Sequence, residues 1–128
     1  MEFSGKTAII TGAASGMGLL SAQQLAARGA RVALTDVNLE AAEAAAGDIR
    51  RQGGEAMAIA VDVRDYAQVK HAAERTLEKF GTIDILINCA GFGVFGAFTE
   101  TDLSVELAMI DVNIKATHIL TKLFFKDM

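Results

Sequence analysis

Short apolar runs of strand length alternate with longer segments of helical periodicity along this sequence of 128 residues. The runs are rich in β-branched and aliphatic side chains, and the segments between them repeat apolar residues at helical spacing. This alternation is typical of βαβ units, in which helices connect parallel strands and pack against the sheet. Strands are predicted over residues 7–11, 31–35, 56–61 and 83–88, and helices over residues 16–28, 39–52, 65–80 and 102–125.

The order of the strands in the sheet follows from the handedness of their connections. Crossovers between parallel strands are right-handed, and the spatial order 3-2-1-4 is the simplest one that satisfies this rule. The predicted fold is therefore an α/β domain with a Rossmann-like, doubly wound parallel sheet, and it forms a single domain over residues 1–128. Ligands of such sheets bind at the carboxyl ends of the strands where the order reverses, here between strands 1 and 4.

Composition and charge restrict the class of partner. Hydrophobic residues make up 52% of the chain and charged residues 22%, as in globular proteins. The net charge of −4 is mild and spread out, whereas nucleic acids and anionic membranes are bound by clustered basic residues, so neither is expected as a partner. No run approaches the roughly 18 apolar residues of a membrane span and no secretion signal is visible, so a cytoplasmic location is expected. The single cysteine, Cys89, excludes an internal disulfide, and no metal site is expected.

The segment TGAASGMG, residues 11–18, lies between the first predicted strand and the first predicted helix. A strand that turns sharply into a helix leaves backbone N–H groups and the positive end of the helix dipole facing whatever lies ahead. Gly12 would permit the turn, Gly16 the close approach of a phosphate and Gly18 the packing of the helix on the sheet. The spacing G-x-x-x-G-x-G therefore predicts a pyrophosphate site that includes Ser15 and Met17.

Asp36 ends the second predicted strand, 18 residues after Gly18. A carboxylate at this position accepts hydrogen bonds from the hydroxyls of an adenosine ribose and repels a 2′-phosphate. Neither Met17 nor Val37 is a basic residue that would attract such a phosphate. The expected cofactor is therefore NAD in preference to NADP.

With these positions established, the chain resembles the short-chain dehydrogenase/reductase family, in its compact form, over all 128 residues. Residues 11–18 resemble the family's T-G-x-x-x-G-x-G cofactor loop, and the pair D-V at residues 62–63 resembles the pair after strand 3 that contacts adenine. The stretch N-C-A-G, residues 88–91, is similar to N-N-A-G after strand 4, with Cys89 in place of the second asparagine. The cofactor-binding residues expected from the loop, the acidic position and the resemblance are Gly12, Ser15, Gly16, Met17, Gly18, Asp36, Val37, Asp62, Val63, Asn88, Ala90 and Gly91.

The resemblance also implies where the catalytic groups lie. Asn113 falls where the family has a catalytic asparagine, in the long helix, and it would support a proton-relay water. The family uses in addition a serine and a Tyr-x-x-x-Lys pair downstream of that helix. Tyr66 is the only tyrosine of the chain and precedes Lys70 at this spacing, but it begins the helix after strand 3. We therefore expect Tyr66 and Lys70 to be a solvated pair away from the nicotinamide.

The activity that the resemblance implies is transfer of hydride between nicotinamide and a small-molecule alcohol or ketone. Because the serine and the Tyr-x-x-x-Lys pair do not follow the long helix, the chain is expected to be the cofactor-binding half of such an oxidoreductase, truncated before strands 5–7 and inactive alone. Two alternatives stay open. The chain is a non-catalytic dinucleotide-binding or regulatory module, or it becomes active when it docks with a separate C-terminal segment.

The last predicted helix is apolar on nearly every side, which is typical of a buried helix. One side is expected to pack on the sheet. Another is expected to meet a partner subunit, since members of the resembled family commonly dimerise through this helix, and a homo-oligomer is predicted. The alternative is that further chain covers the same side. Strand 4 would form an open sheet edge whose only charge is Asp84, which favours aggregation or swapping.

Overall fold

The computed structural model describes residues 1–126 and residue 128. Within these residues four strands form one parallel sheet with the order β3-β2-β1-β4. The strands are β1 Thr7–Thr11, β2 Arg31–Asp36, β3 Glu55–Ala60 and β4 Ile85–Asn88. This order confirms the predicted doubly wound arrangement, and every strand end lies within two residues of its predicted position.

The central strand β1 fixes where the strand ends meet. Its last residue, Thr11, pairs with Thr35 of β2 and with Asn88 of β4. Asp36, the last residue of β2, pairs with Ala60 of β3. Because the strands are parallel, these residues lie along one edge of the sheet, and the segments that follow the strands come together there.

Helices flank the sheet in the described part of the chain. They are α1 Gly16–Ala27, α2 Leu39–Arg51, α3 Tyr66–Phe80, α4 Leu103–Ile110 and α5 Thr117–Phe125. A π-helical segment, Asp111–Ala116, joins α4 to α5. The uninterrupted α-helix predicted over residues 102–125 is therefore wrong in its centre, and Asn113 lies in this wider turn.

Alternate residues of the central strand point to opposite faces of the sheet, as in any β-strand. Ala8 and Ile10 belong to a buried cluster that includes residues of α1 and α2. Ile9 belongs to a second buried cluster, built with residues of α3 and of the last helical segments. Both faces of the sheet are therefore covered, which explains why the strands read as near-continuous apolar runs.

The last helical segments are buried along one side only. Ala116, Leu120 and Phe124 are buried, and their spacing of four residues puts them on a single face. Ile114 is 65% exposed, and every residue of α4 is exposed or half-buried. The chain itself thus buries less of these helices than their apolar composition predicts, and a further partner for them stays a prediction. None of the helices within the described residues combines the length and the apolarity that a membrane crossing requires.

Candidate functional site

A cleft of about 480 Å³ opens at the edge of the sheet where the carboxyl ends of the strands meet. Of the predicted site residues, all but Asp62, Asn88 and Asn113 line it. The lining consists of Gly12, Ser15, Gly16, Met17, Gly18, Asp36, Val37, Val61, Val63, Arg64, Cys89, Ala90, Gly91, Phe92, Ala108 and Val112. The topology therefore brings the segments after all four strands into one concave site, as the predicted strand order requires.

The loop between β1 and α1 depends on glycine for its path. Gly12 and Gly16 have φ angles of +62° and +57°, a left-handed conformation that residues with a Cβ rarely adopt. A Cβ on Gly18 would lie 2.3 Å from the carbonyl oxygen of Gly12, so the first turn of α1 packs directly on the loop. At Gly16, by contrast, the Cβ position has no atom of the described residues within 4 Å apart from its chain neighbours and the backbone of its own helix, which leaves open space for a ligand.

The N-terminus of α1 has no side-chain cap within the described residues. The residues before α2, α3 and α4, which are Asn38, Asp65 and Asp102, each accept a hydrogen bond from a backbone N–H in the first turn of their helix. Ser15 makes no such bond at α1, and the first turn of α1 contains no acidic residue. Free N–H groups and the helix dipole attract anions, so this end of the cleft fits a pyrophosphate.

Asp36 is half-buried and lines the cleft at the end of β2. Its Oδ2 accepts a hydrogen bond from the backbone N–H of Ala14 at 3.0 Å, and its Oδ1 accepts one from the N–H of Asn38 at 3.0 Å. A carboxylate has about four acceptor positions, so positions remain for hydroxyl donors in the cleft. The adjacent Val37 is 74% exposed and adds apolar surface without a positive charge.

The turn after β3 brings Arg64 and Val63 into the lining of the cleft, whereas Asp62 is not part of it. Arg64 donates hydrogen bonds to Asp62 from Nη2 to Oδ2 at 2.7 Å and from Nε to Oδ1 at 3.0 Å. The hydrogen bond from the guanidinium lowers the pKa of the Asp62 carboxyl, against an opposing effect of burial, and the carboxylate raises the pKa of Arg64. An ion pair between two residues that are close in sequence therefore stabilises this turn.

The loop after β4 is fixed to β1 by one threonine. Thr11 Oγ1 accepts hydrogen bonds from the backbone N–H groups of Cys89 and Ala90, each at 3.1 Å. A Cβ on Gly12 would lie 2.8 Å from the backbone nitrogen of Ala90, so the two loops are also in close backbone contact. The glycine loop and the loop after β4 thus form one unit at the centre of the cleft.

The side-chain amides of Asn88 and Asn113 do not line the cleft but form hydrogen bonds between the last helical segments and the end of β4 and the loop that follows it. Asn88 Nδ2 donates to Thr121 Oγ1 at 3.3 Å. Asn113 Oδ1 accepts from the backbone N–H of Phe92 at 3.0 Å, and its Nδ2 donates to the Phe92 carbonyl oxygen at 2.8 Å. A Cβ on Gly91 would lie 2.8 Å from Asn113 Oδ1. The π-helical segment is therefore hydrogen-bonded to the loop after β4 through the side-chain amide of Asn113.

Three residues that could carry chemistry, Tyr66, His71 and His118, lie outside the lining of the cleft. Tyr66 is in the first turn of α3, is 54% exposed and does not line the cleft. His71 and His118 are both exposed. Among the described residues, no three histidine, cysteine or acidic side chains come together in a way that would hold a metal ion.

Sequence reasoning missed six residues of the lining: Val61, Arg64, Cys89, Phe92, Ala108 and Val112. Four of them are direct neighbours of predicted site residues, and extending each strand-end motif by one position would have found them. Ala108 and Val112 lie on the last helical segments, four residues apart. Their apolar side chains carry no sequence signal that separates them from core residues.

A family model for short chain dehydrogenases matches residues 6–128. The chain belongs to the short-chain dehydrogenase family. Among characterised members, D-threitol dehydrogenase of Mycolicibacterium smegmatis is 38% identical over 124 residues, which is 97% of this chain and 48% of that enzyme. Sorbitol dehydrogenase of Cereibacter sphaeroides is 39% identical over 117 residues, 91% of this chain and 44% of that enzyme.

A solved structure of the family has the same fold. It is a short chain dehydrogenase/reductase from Burkholderia phymatum in complex with NAD, and it matches with a TM-score of 0.94 at 34% identity. The match covers 100% of this chain and 46% of that one. The predicted Rossmann-like fold is confirmed, and the chain spans about half the length of the family members it matches.

Proposed function

We propose that this chain binds NAD in the cleft and forms the cofactor-binding half of an oxidoreductase that transfers hydride between nicotinamide and a small-molecule alcohol or ketone. One observation carries the proposal: the uncapped N-terminus of α1 and the Asp36 carboxylate line the same cleft. Helix N-termini bind pyrophosphate, and a carboxylate with free acceptor positions binds ribose hydroxyls. The NAD complex of the Burkholderia relative supports the same ligand.

The glycine loop is the proposed pyrophosphate site. The open space beside Gly16 admits a phosphate, and the first N–H groups of α1, from Met17 and Gly18 onward, donate to its oxygens. Ser15 adds a hydroxyl at the same end of the cleft. The close contact of Gly12 with Ala90 holds the loop in the turn that aims these groups at the ligand.

Asp36 is the proposed basis for a preference for NAD over NADP. A ribose 2′-hydroxyl donates a hydrogen bond to the carboxylate, whereas a 2′-phosphate brings like charge beside it. Val37 offers no cation to offset that repulsion, and the exposed side chain instead suits the flat face of a base. In this proposal the adenine lies beyond the ribose, against Val37 and Val63, with Asp62 in the adjoining turn.

The nicotinamide end is proposed to lie against Asn88, Ala90 and Gly91, on the loop after β4. Nicotinamide supplies the hydride chemistry when it is bound. Each amide atom of Asn113 makes one hydrogen bond to Phe92, which leaves one N–H and one lone pair for further partners. This remaining capacity suits a water that relays a proton, the role proposed for Asn113.

The wider assignments are proposals of the same kind. The exposed apolar sides of the last helical segments favour a homo-oligomer formed through them. The mild acidic charge and the single cysteine favour a cytoplasmic location. D-Threitol and sorbitol dehydrogenases are named for alcohol substrates, which agrees with the proposed class of substrate.

Titration of the chain with NADH, followed by the fluorescence of the dihydronicotinamide, tests the proposal. We expect saturable binding that Asp36→Ala weakens. Glu78→Ala is the matched control, because Glu78 is an exposed carboxylate on α3 outside the cleft. A wild-type chain that shows no saturable binding of NADH would contradict the proposal.

The second candidate is a dinucleotide-binding module without chemistry of its own. It is favoured by the position of Tyr66, the only tyrosine, which is half-exposed on α3 and outside the cleft. This candidate expects NADH binding without turnover of any ketone or polyol, also after addition of a C-terminal half from a relative such as sorbitol dehydrogenase. Turnover on that addition would favour the half-enzyme.

A further inference from the structure

A second, apolar groove lies between α3 and the end of α5, on the face of the sheet that α1 and α2 do not cover. Its volume is about 220 Å³, and it shares no lining residue with the cofactor cleft. On the α5 side it is lined by the half-buried Leu123 and the buried Phe124. On the α3 side Tyr66 is 54% exposed and Leu77 is 39% exposed. Two large apolar side chains of α3 therefore border the groove and stay in contact with water.

The α3 side of the groove is a stripe that runs along the helix. Tyr66, Lys70, Ala73 and Leu77 all line the groove, at successive spacings of four, three and four residues. Residues at these spacings lie within about 60° of one another around a helix, and the same spacing forms the seam along which two helices pack. The small side chain in the middle of the stripe, that of Ala73, permits a close approach of a second helix.

The stripe is distinct from the face that α3 buries within the chain. The buried residues of α3 are Val69, Ala72, Thr76 and Phe80. They pack on the sheet side of the helix, whereas Lys70 and Leu77 of the stripe are exposed. The chain itself therefore leaves this part of α3 without a packing partner among the described residues.

Two opposite charges border the groove one helical turn apart. Lys70 and Glu74 both line it and are both exposed. Neither of them takes part in an ion pair within the described part of the chain. Both charges are therefore available to a partner helix that carries the same two charges in the opposite order.

A second copy of α3 in antiparallel orientation presents that order. When Lys70 lies opposite Glu74 of the partner subunit, two-fold symmetry places Glu74 opposite Lys70 of the partner subunit. The same register places Tyr66 opposite Leu77 of the partner subunit, because both pairs are centred near Ala72 in the sequence. An interface between identical subunits about a two-fold axis requires a self-complementary surface of this kind.

We propose that the groove between α3 and α5 is an interface between two copies of this chain, in which the α3 helices pack antiparallel. Tyr66 and Leu77 form the apolar contacts, and Lys70 and Glu74 fix the register and the orientation, as charged pairs do between helices of a coiled coil. This interface uses none of the exposed apolar residues of α4 or of the π-helical segment. It is independent of the proposed cofactor.

The experiment exchanges the two charges and measures association by sedimentation velocity over a series of concentrations. It is done in the wild-type chain and in a chain with Leu107→Glu and Ile114→Glu, which weaken contacts through the last helical segments. Lys70→Glu and Glu74→Lys each place like charges opposite one another at both ends of the contact, so each alone should weaken association about tenfold or more. An equimolar mixture of the two variants restores opposite charges at both ends. The mixture should therefore associate about as well as the chain without either change.

The matched controls are Arg75→Glu and Glu78→Lys, which change the charge of α3 by the same amounts at exposed positions outside the groove. Neither variant should weaken association, and mixing the two should bring no gain. Tyr66→Ala leaves every charge in place and removes an apolar contact, so it should weaken association of the wild type and of the mixture alike. Circular dichroism checks that each variant retains the fold.

Three results would overturn the inference. The first is a mixture of Lys70→Glu and Glu74→Lys that associates no better than either variant alone, which means that the helices do not meet in this register. The second is a Lys70→Glu variant that associates as strongly as the chain from which it was made. The third is a chain with Leu107→Glu and Ile114→Glu that keeps its fold and sediments as a monomer at every concentration, which means that a second copy does not occupy the groove.

Discussion

The Asp36 carboxylate accepts a hydrogen bond from the backbone N–H of Ala14 at 3.0 Å, across 22 residues of sequence. One side chain thus fixes the glycine loop and lines the cleft into which that loop opens. Its second oxygen, bound to the N–H of Asn38, limits the rotation of the carboxylate. The loop geometry and the proposed ribose contact therefore depend on the same residue, and a substitution at Asp36 should affect both.

Asp36→Ala should weaken NADH binding about tenfold to a hundredfold, because hydrogen bonds to a charged acceptor contribute roughly 1.5–3 kcal/mol. NADPH should lose less or gain, since the repulsive charge is removed, so discrimination between the two cofactors should fall. Asp36→Asn keeps an acceptor for Ala14 and separates the loop contact from the charge. The check is the ratio of the two dissociation constants by fluorescence titration. An unchanged ratio in both variants would remove Asp36 from the ribose site.

Gly18→Ala should destabilise the chain, because it disturbs the packing of α1 on the glycine loop. The added Cβ would lie 2.3 Å from Gly12 O, and overpacking against backbone costs about 1–3 kcal/mol. The matched control is Gly47→Ala in α2, where the nearest atom to the new Cβ is 3.5 Å away on Arg51. That change should stabilise the chain by about 0.5–1 kcal/mol. Urea unfolding of the two variants decides the matter, and equal effects would contradict the close packing of α1 on the loop.

The strands and their order could be predicted because they depend on local composition and a general rule. Apolar runs such as residues 7–11 have few alternatives to a buried strand, and right-handed crossovers restrict their order. The glycine loop and Asp36 could be predicted as well. Gly12 has a positive φ angle and Gly18 packs against the carbonyl oxygen of Gly12, and the spacing of the glycines in the sequence indicates both requirements.

The π-helical segment and the place of Arg64 in the cleft lining could not be predicted in the same way. The sequence of Asp111–Ala116 contains no glycine or proline that would mark a break in the helix, and Asn113 contacts Phe92 only because the fold brings them together. An arginine four residues after the end of a strand is typical of a solvated turn. Arg64 nonetheless lines the cleft and is hydrogen-bonded to Asp62, and no periodicity of the sequence reveals either fact.

Thr11→Val should destabilise the chain although it changes neither size nor shape. The backbone N–H groups of Cys89 and Ala90, both half-buried, would lose their shared acceptor, and leaving such donors unpaired costs about 1 kcal/mol. Thr11→Ser keeps the oxygen and loses only a methyl group, so it should lie much closer to the wild type. The comparison is made by urea unfolding. A Thr11→Val variant as stable as Thr11→Ser would mean that the oxygen does not hold the loop.

The chain should self-associate through the exposed apolar sides of its last helical segments. Leu107 is 52% exposed and Ile114 is 65% exposed, and several large apolar side chains exposed on neighbouring helical segments are typical of an interface. Leu107→Glu and Ile114→Glu should each shift the chain toward the monomer in sedimentation velocity. Leu20→Glu, which places a charge at a 53% exposed position of α1, is the control and should leave the distribution unchanged. A wild-type chain that sediments as a single monomer at all concentrations would contradict the prediction.

The contact between Asn113 and the loop after β4 should appear as energetic coupling. Gly91→Ala alone should be strongly destabilising, because its Cβ would lie 2.8 Å from Asn113 Oδ1. Asn113→Ala alone should cost about 1 kcal/mol for the lost hydrogen bonds to Phe92. In the double variant the shortened side chain leaves room for the new Cβ, so the total loss should be smaller than the sum by at least about 0.5 kcal/mol. Unfolding free energies of the four chains form the cycle, and strict additivity would show that the amide does not press on Gly91.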